Sequence, residues 1–88
     1  MSKKILLVDD DDALLRALSV RCKNLGIEVN TAPNATVAWD DIQKQRPDLV
    51  ILDLNMPGGG ALKVCEEITA NDTLSHTRII ILTGETDG

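Results

Sequence analysis

Three short apolar runs, separated by stretches of helical periodicity, limit this chain to one kind of architecture. The runs are residues 4–8 (KILLV), 49–54 (LVILDL) and 78–83 (RIIILT). Each is too short for a buried helix and rich in Leu, Ile and Val, so each reads as a buried strand. The stretches between them read differently. Leu14, Leu15, Leu18, Cys22 and Leu25 fall on one helical face, and Gly26 stops that helix. Ile27 and Val29 alternate with Glu28 and Asn30, the pattern of a half-exposed edge strand. Pro33-Asn34 makes a turn, and Asn34 caps a second helix that runs to about Gln45 with Ala35, Ala38, Trp39 and Ile42 inward. Pro47 ends it. A third helix runs from Ala61 to about Ala70 with Leu62, Cys65 and Ile68 inward, and residues 71–77 are polar and turn-like. Apolar strands alternating with amphipathic helices pair in parallel through right-handed crossovers. The expectation is an α/β protein, an open parallel sheet, in one domain spanning residues 1–88.

Composition narrows the partners. The chain has 88 residues, 14 acidic against 9 basic, for a formal net charge of -5. Nucleic acids and anionic membranes attract clustered Lys and Arg, and here the only such cluster is Lys3-Lys4. No direct nucleic-acid or membrane partner is expected. The N-terminus runs from a short apolar stretch straight into aspartates, unlike a signal peptide, so the expected location is cytoplasmic. Phe and Tyr are absent and Trp39 is the only aromatic, which leaves a core of aliphatic side chains. Cys22 and Cys65 lack metal-ligand spacing and read as small apolar residues. His76 sits in a polar turn and reads as surface.

In an open parallel sheet, ligands bind beyond the carboxyl ends of the strands. The first strand ends in Asp9-Asp10, the third in Asp53 with Asn55 two residues on, and the fourth in Thr83-Gly84. If the first and third strands are neighbours, three carboxylates converge on one crevice. Like charges a few ångströms apart repel by about 1 kcal/mol per pair even in water. A hard divalent cation with oxygen ligands, Mg²⁺, offsets that repulsion. Phosphate oxygens are its natural further ligands, Thr83 offers them a hydroxyl, and an aspartate facing a phosphoryl group is a nucleophile. Asp11 and Asp12 need no such role, because acids suit a helix N-terminus.

The segments LLVDDDD, LVILDLNMPGGG and IIILTGE resemble, in order and spacing, the three signatures of the response-regulator receiver domain of two-component signalling. The resemblance covers the whole chain. It implies a flavodoxin-like receiver fold with strand order 2-1-3-4. It implies that Asp53 accepts a phosphoryl group from a sensor histidine kinase or phosphotransfer protein. Asp9 and Asp10 would then hold Mg²⁺ with Asp53, Asn55 would give its backbone carbonyl to the metal, and Thr83 would be the switch hydroxyl.

The chain departs from the family pattern in two places. Where the family carries Asp-Gly before Leu62, this chain has Gly60-Ala61, which implies altered loop dynamics. The family's helix 4, strand 5 and helix 5 have no counterpart here, nor does the lysine after strand 5 that pairs with the phosphoryl group. A receiver truncated in this way exposes its fourth strand as an apolar edge. The expected consequence is a homodimer or higher self-association through that strand, and the alternative function is an assembly module that no longer phosphorylates productively. Other classes fit less well. An aspartyl phosphatase needs a second Asp where Asn55 stands. A dinucleotide-binding enzyme needs a glycine-rich turn where DDDD stands. The glycine run 58–60 lacks the Lys-Ser/Thr of a P-loop.

Overall fold

A computed structural model describes residues 3–56 and 60–82. The elements in chain order are β1 (Lys4–Val8), α1 (Asp12–Asn24), β2 (Glu28–Ala32), α2 (Ala35–Gln45), β3 (Leu49–Asp53), α3 (Ala61–Ala70), a 3-10 turn (Asp72–Leu74) and β4 (Arg78–Leu82). All strand pairs are parallel, and the order is β2-β1-β3-β4. This is the open α/β sheet and the strand order expected above.

The helix ends follow local chemistry. The Asp11 carboxylate accepts from Leu14 N–H at 3.1 Å and starts α1, and the Asn34 amide oxygen accepts from Val37 N–H at 2.9 Å and starts α2. Gly26, at φ +79°, turns the chain out of α1. Before Pro47, Arg46 takes the left-handed conformation at φ 48° as the cap of α2.

The main core lies between the sheet and the α2–α3 pair. Leu6, Val8, Val50 and Leu52 meet Ala38 and Ile42 of α2 and Ala61, Val64 and Ile68 of α3. Alternation along β1 turns Leu7 to the opposite face, where it is buried outside this cluster, as is Leu15 of α1. Behind the core, Thr77 donates its hydroxyl to the Pro47 carbonyl at 2.8 Å, which ties the start of β4 to the start of β3.

Five expectations change. In α3 the inward stripe is Ala61, Val64 and Ile68, with Cys65 half-buried, while Leu62 is 63% exposed. The stripe with i, i+3, i+4, i+7 spacing starts one residue earlier than the larger side chain suggests. In α1, Leu14 is exposed and only Leu15 is fully buried, and the cap residue Leu25 is exposed as well. The reading of β4 as a buried strand gives way to the apolar edge that the resemblance implies: β4 lies at the sheet edge, and Ile80, Ile81 and Leu82 are exposed. The segment 71–77 contains a 3-10 turn that plants Leu74 in the core, and His76, though exposed, places Nε2 3.4 Å from the Arg46 carbonyl. Cys22 and Cys65 are free thiols, each half-buried rather than core.

Candidate functional site: an acidic cluster at the carboxyl end of the sheet

The register of the sheet assembles the site. Val8 of β1 pairs with Leu52 of β3, so the next residue on each strand, Asp9 and Asp53, emerges side by side. Asp10 follows on the β1 side. One carboxylate oxygen from each of Asp9, Asp10 and Asp53 lies within 4.8 Å of the others. Asp9 and Asp53 are half-buried, and Asp10 is exposed.

Two of these carboxylates are held in the same way. The Asp11 N–H donates to Asp9 Oδ1 at 2.9 Å, and the Asn55 N–H donates to Asp53 Oδ1 at 3.0 Å. Each aspartate thus folds its side chain over the backbone two residues on, the local turn that aspartate favours. The main chain is fixed as well: Asp9 N–H donates to the Ala32 carbonyl at 3.1 Å, and Leu54 N–H to the Leu82 carbonyl at 2.9 Å.

Burial and neighbouring carboxylates dominate the electrostatics at Asp9. Partial burial pushes the Asp9 carboxyl above its ordinary value; the Asp11 N–H opposes this, and Asp53 and Asp10 add to the rise. Converging carboxylates with a half-buried member fit a hard divalent cation, and the donor set is all oxygen, as Mg²⁺ requires. The Asp11 and Asp12 carboxylates take no part: that of Asp11 caps α1, and that of Asp12 pairs with Arg16 on the exposed surface at 2.7 Å.

The structure therefore brings together Asp9, Asp10 and Asp53, with Asn55 exposed two residues beyond Asp53. Thr83 lies outside the described residues; the residue before it, Leu82, is the register partner of Asp53. Reasoning from sequence places Met56 in the turn after Asp53 but misses its burial: it is 5% exposed and anchors the chain just after the site in the core. Its signal was weak, a single apolar residue in a loop. A separate hollow of about 410 Å³ lies along β2 between α1 and α2, lined by Ser19, Lys23, Asn30 and Asp41 among others. It shares no residue with the acidic cluster.

A family model described as the response regulator receiver domain matches residues 5–88. The DNA-binding response regulator MtrA of Mycolicibacterium paratuberculosis is 36% identical over 87 residues, covering 99% of this chain and 37% of that protein. The probable transcriptional regulator ycf27 of Galdieria sulphuraria is 40% identical over 81 residues, covering 92% of this chain and 31% of its own length. The chain thus spans roughly a third of the curated relatives it matches. Among solved structures, the chemotaxis response regulator CheY4 of Vibrio cholerae superimposes with a TM-score of 0.88 at 31% identity, over 99% of this chain and 72% of that one. TrrA of Thermotoga maritima, solved in complex with Mg²⁺-BeF, gives a TM-score of 0.82 at 36% identity, over 96% and 71% of the two chains. Among the described residues, no helix is long and apolar enough to cross a membrane.

Proposed function

The chain belongs to the response regulator receiver domain family, and from that premise we propose that it is a cytoplasmic phosphoacceptor switch of two-component signalling, with Asp53 as the acceptor. The observation that carries this reading is the convergence of Asp53 with Asp9 and Asp10 at the carboxyl end of neighbouring strands. The phosphodonor is a sensor histidine kinase or a phosphotransfer protein. One Asp53 oxygen attacks phosphorus, the phosphorus–nitrogen bond of the phosphohistidine breaks, and the imidazole leaves with the electron pair. The Asn55 N–H holds Oδ1, which supports Oδ2 as the attacking oxygen.

Asp9, Asp10 and Asp53, with the Asn55 backbone carbonyl, would hold Mg²⁺. When bound, the ion offsets the carboxylate charge and the charge that develops on the phosphoryl oxygens. Thr83 is the switch hydroxyl in this reading. The chain is a signalling switch that modifies itself, and its net charge of -5 argues against direct contact with nucleic acid.

Intact-mass spectrometry after incubation with a small-molecule phosphodonor tests the reading. A gain of one phosphoryl group that needs Mg²⁺ and is lost in Asp53→Asn is the expected result. No gain in the folded chain overturns it.

The exposed Ile80, Ile81 and Leu82 on the edge strand β4 favour a second reading. In it the chain is a receiver-like module that self-associates as a homodimer or larger assembly through β4 and does not phosphorylate productively. An apolar strand edge is a template for pairing with another chain.

A further inference from the structure

The residues around the acidic cluster form a closed circuit of contacts. On one side, Asp9 N–H donates to the carbonyl of Ala32, the last residue of β2. Three residues on, Ala35 opens α2. There α2 meets Gly60, the residue that precedes α3: a methyl group at Gly60 would sit 2.6 Å from the Ala35 Cβ. On the other side, Ala61 and Met56 are buried in the core cluster against which Ala35 also packs. Met56 follows Asn55, whose N–H holds Asp53 Oδ1. Asp53 and Asp9 then close the circuit across the acidic cluster.

Gly60 is not a helix cap in the usual sense. It offers no side-chain hydrogen bond to α3, and at φ +97° it occupies a region that side chains rarely adopt. What it contributes is the absence of a Cβ, which allows two helix starts to meet at backbone distance.

We propose that Gly60 is a positioning residue for the acidic site: its bare backbone seats the first turn of α3 on Ala35 of α2, and this seat sets the spacing between the Asp53 and Asp9 arms of the circuit. The inference rests on the reading of Asp9, Asp10 and Asp53 as one cation- and phosphoryl-binding site. Close-packed interiors yield little, so a methyl group forced into the seat must displace one helix start or the other. Displacing α2 moves the turn after Ala32 and, through it, Asp9. Displacing α3 moves Met56 and, through it, Asn55 and Asp53.

The test compares the 88-residue chain with Gly60→Ala, Ala35→Val, the double variant Ala35→Gly/Gly60→Ala, and Glu66→Gly. Ala35→Val crowds the seat from the α2 side and leaves the Gly60 backbone unstrained. Glu66→Gly weakens α3 at an exposed position away from the seat. Two readouts are taken: amide NMR spectra of the metal-free chain, and calorimetric titration with Mg²⁺ alone. In both crowded variants the amide resonances of Asp9, Asn55 and Met56 shift, and Mg²⁺ affinity falls by about 3- to 10-fold, somewhat less than is usual for groups that directly support metal ligands. The double variant recovers the share of the Gly60→Ala loss that comes from the clash with Ala35, the coupling expected of residues in contact, and keeps the share that comes from the φ of +97°. Shifts confined to residues 61–64 with unchanged affinity would overturn the proposal. An equal loss in Glu66→Gly would also overturn it, because the effect would then be general destabilisation. If Gly60→Ala does not fold, Ala35→Val decides the matter alone. If the unsubstituted chain binds no Mg²⁺, the functional reading fails, while the metal-free spectra still decide whether the seat reaches Asp9 and Asn55.

Discussion

Val8 and Leu52 are register partners in adjacent parallel strands, and each is followed by an aspartate. Because the strands run the same way, both carboxylates emerge at the same end of the sheet. An antiparallel pair with the same sequences would send them to opposite ends. The first prediction concerns the cost of that proximity. The raised Asp9 carboxyl value, caused chiefly by burial with Asp53 and Asp10 adding to it, means that the folded chain binds this proton more tightly than the unfolded chain does. The stabilisation is therefore complete below the ordinary value of 3.8 and is lost as pH rises through the raised folded value. Asp9→Asn keeps an oxygen for the Asp11 N–H and removes the charge. In metal-free buffer its urea midpoint exceeds that of the parent chain at pH 7, and the gap closes below pH 3.8. A gap that persists at low pH, or a less stable variant at neutral pH, would disprove the assignment.

The second prediction tests the rotation of α3. Leu62 is 63% exposed and Ile68 is 3% exposed on the same helix. Leu62→Ala changes stability by no more than about 0.5 kcal/mol, the range of ordinary surface substitutions. Ile68→Ala costs about 2–5 kcal/mol, the transfer and cavity cost of a buried aliphatic side chain. Denaturant midpoints at constant slope distinguish the two. Similar losses at both positions would restore the inward Leu62 expected from the sequence.

The third prediction concerns the helix starts. Asn34 caps α2 from its side chain at 2.9 Å, so Asn34→Ala costs about 1 kcal/mol. The Asp12–Arg16 pair, with both side chains over three-quarters exposed, contributes little, and Asp12→Asn leaves the urea midpoint nearly unchanged.

The fourth prediction concerns the sheet edge. Ile80 is 47% exposed on β4, and nearby Ile81 and Leu82 are also exposed. If the chain assembles through this edge, its mass by light scattering rises with concentration, and Ile80→Lys lowers it toward the monomer, because a charge on an edge strand disfavours pairing. A monomeric mass at high concentration for the parent chain would exclude assembly through β4.

The elements, and the strand ends where the chemistry collects, were legible in the sequence. Helix and strand periodicities, the Asn34 cap, the Gly26 stop and the positions of Asp9, Asp10 and Asp53 at strand ends are local properties, legible residue by residue. Tertiary structure alone decided which apolar residues are core. The burial of Leu74 and Met56 and the exposure of Leu62 and Leu25 depend on which elements lie next to one another. The Gly60–Ala35 contact is of the same kind. It joins residues 25 positions apart, and a glycine's lack of a side chain has a specific meaning only when something occupies the space its Cβ would fill. Hydrophobicity is a property of the residue, but burial is a property of its neighbours.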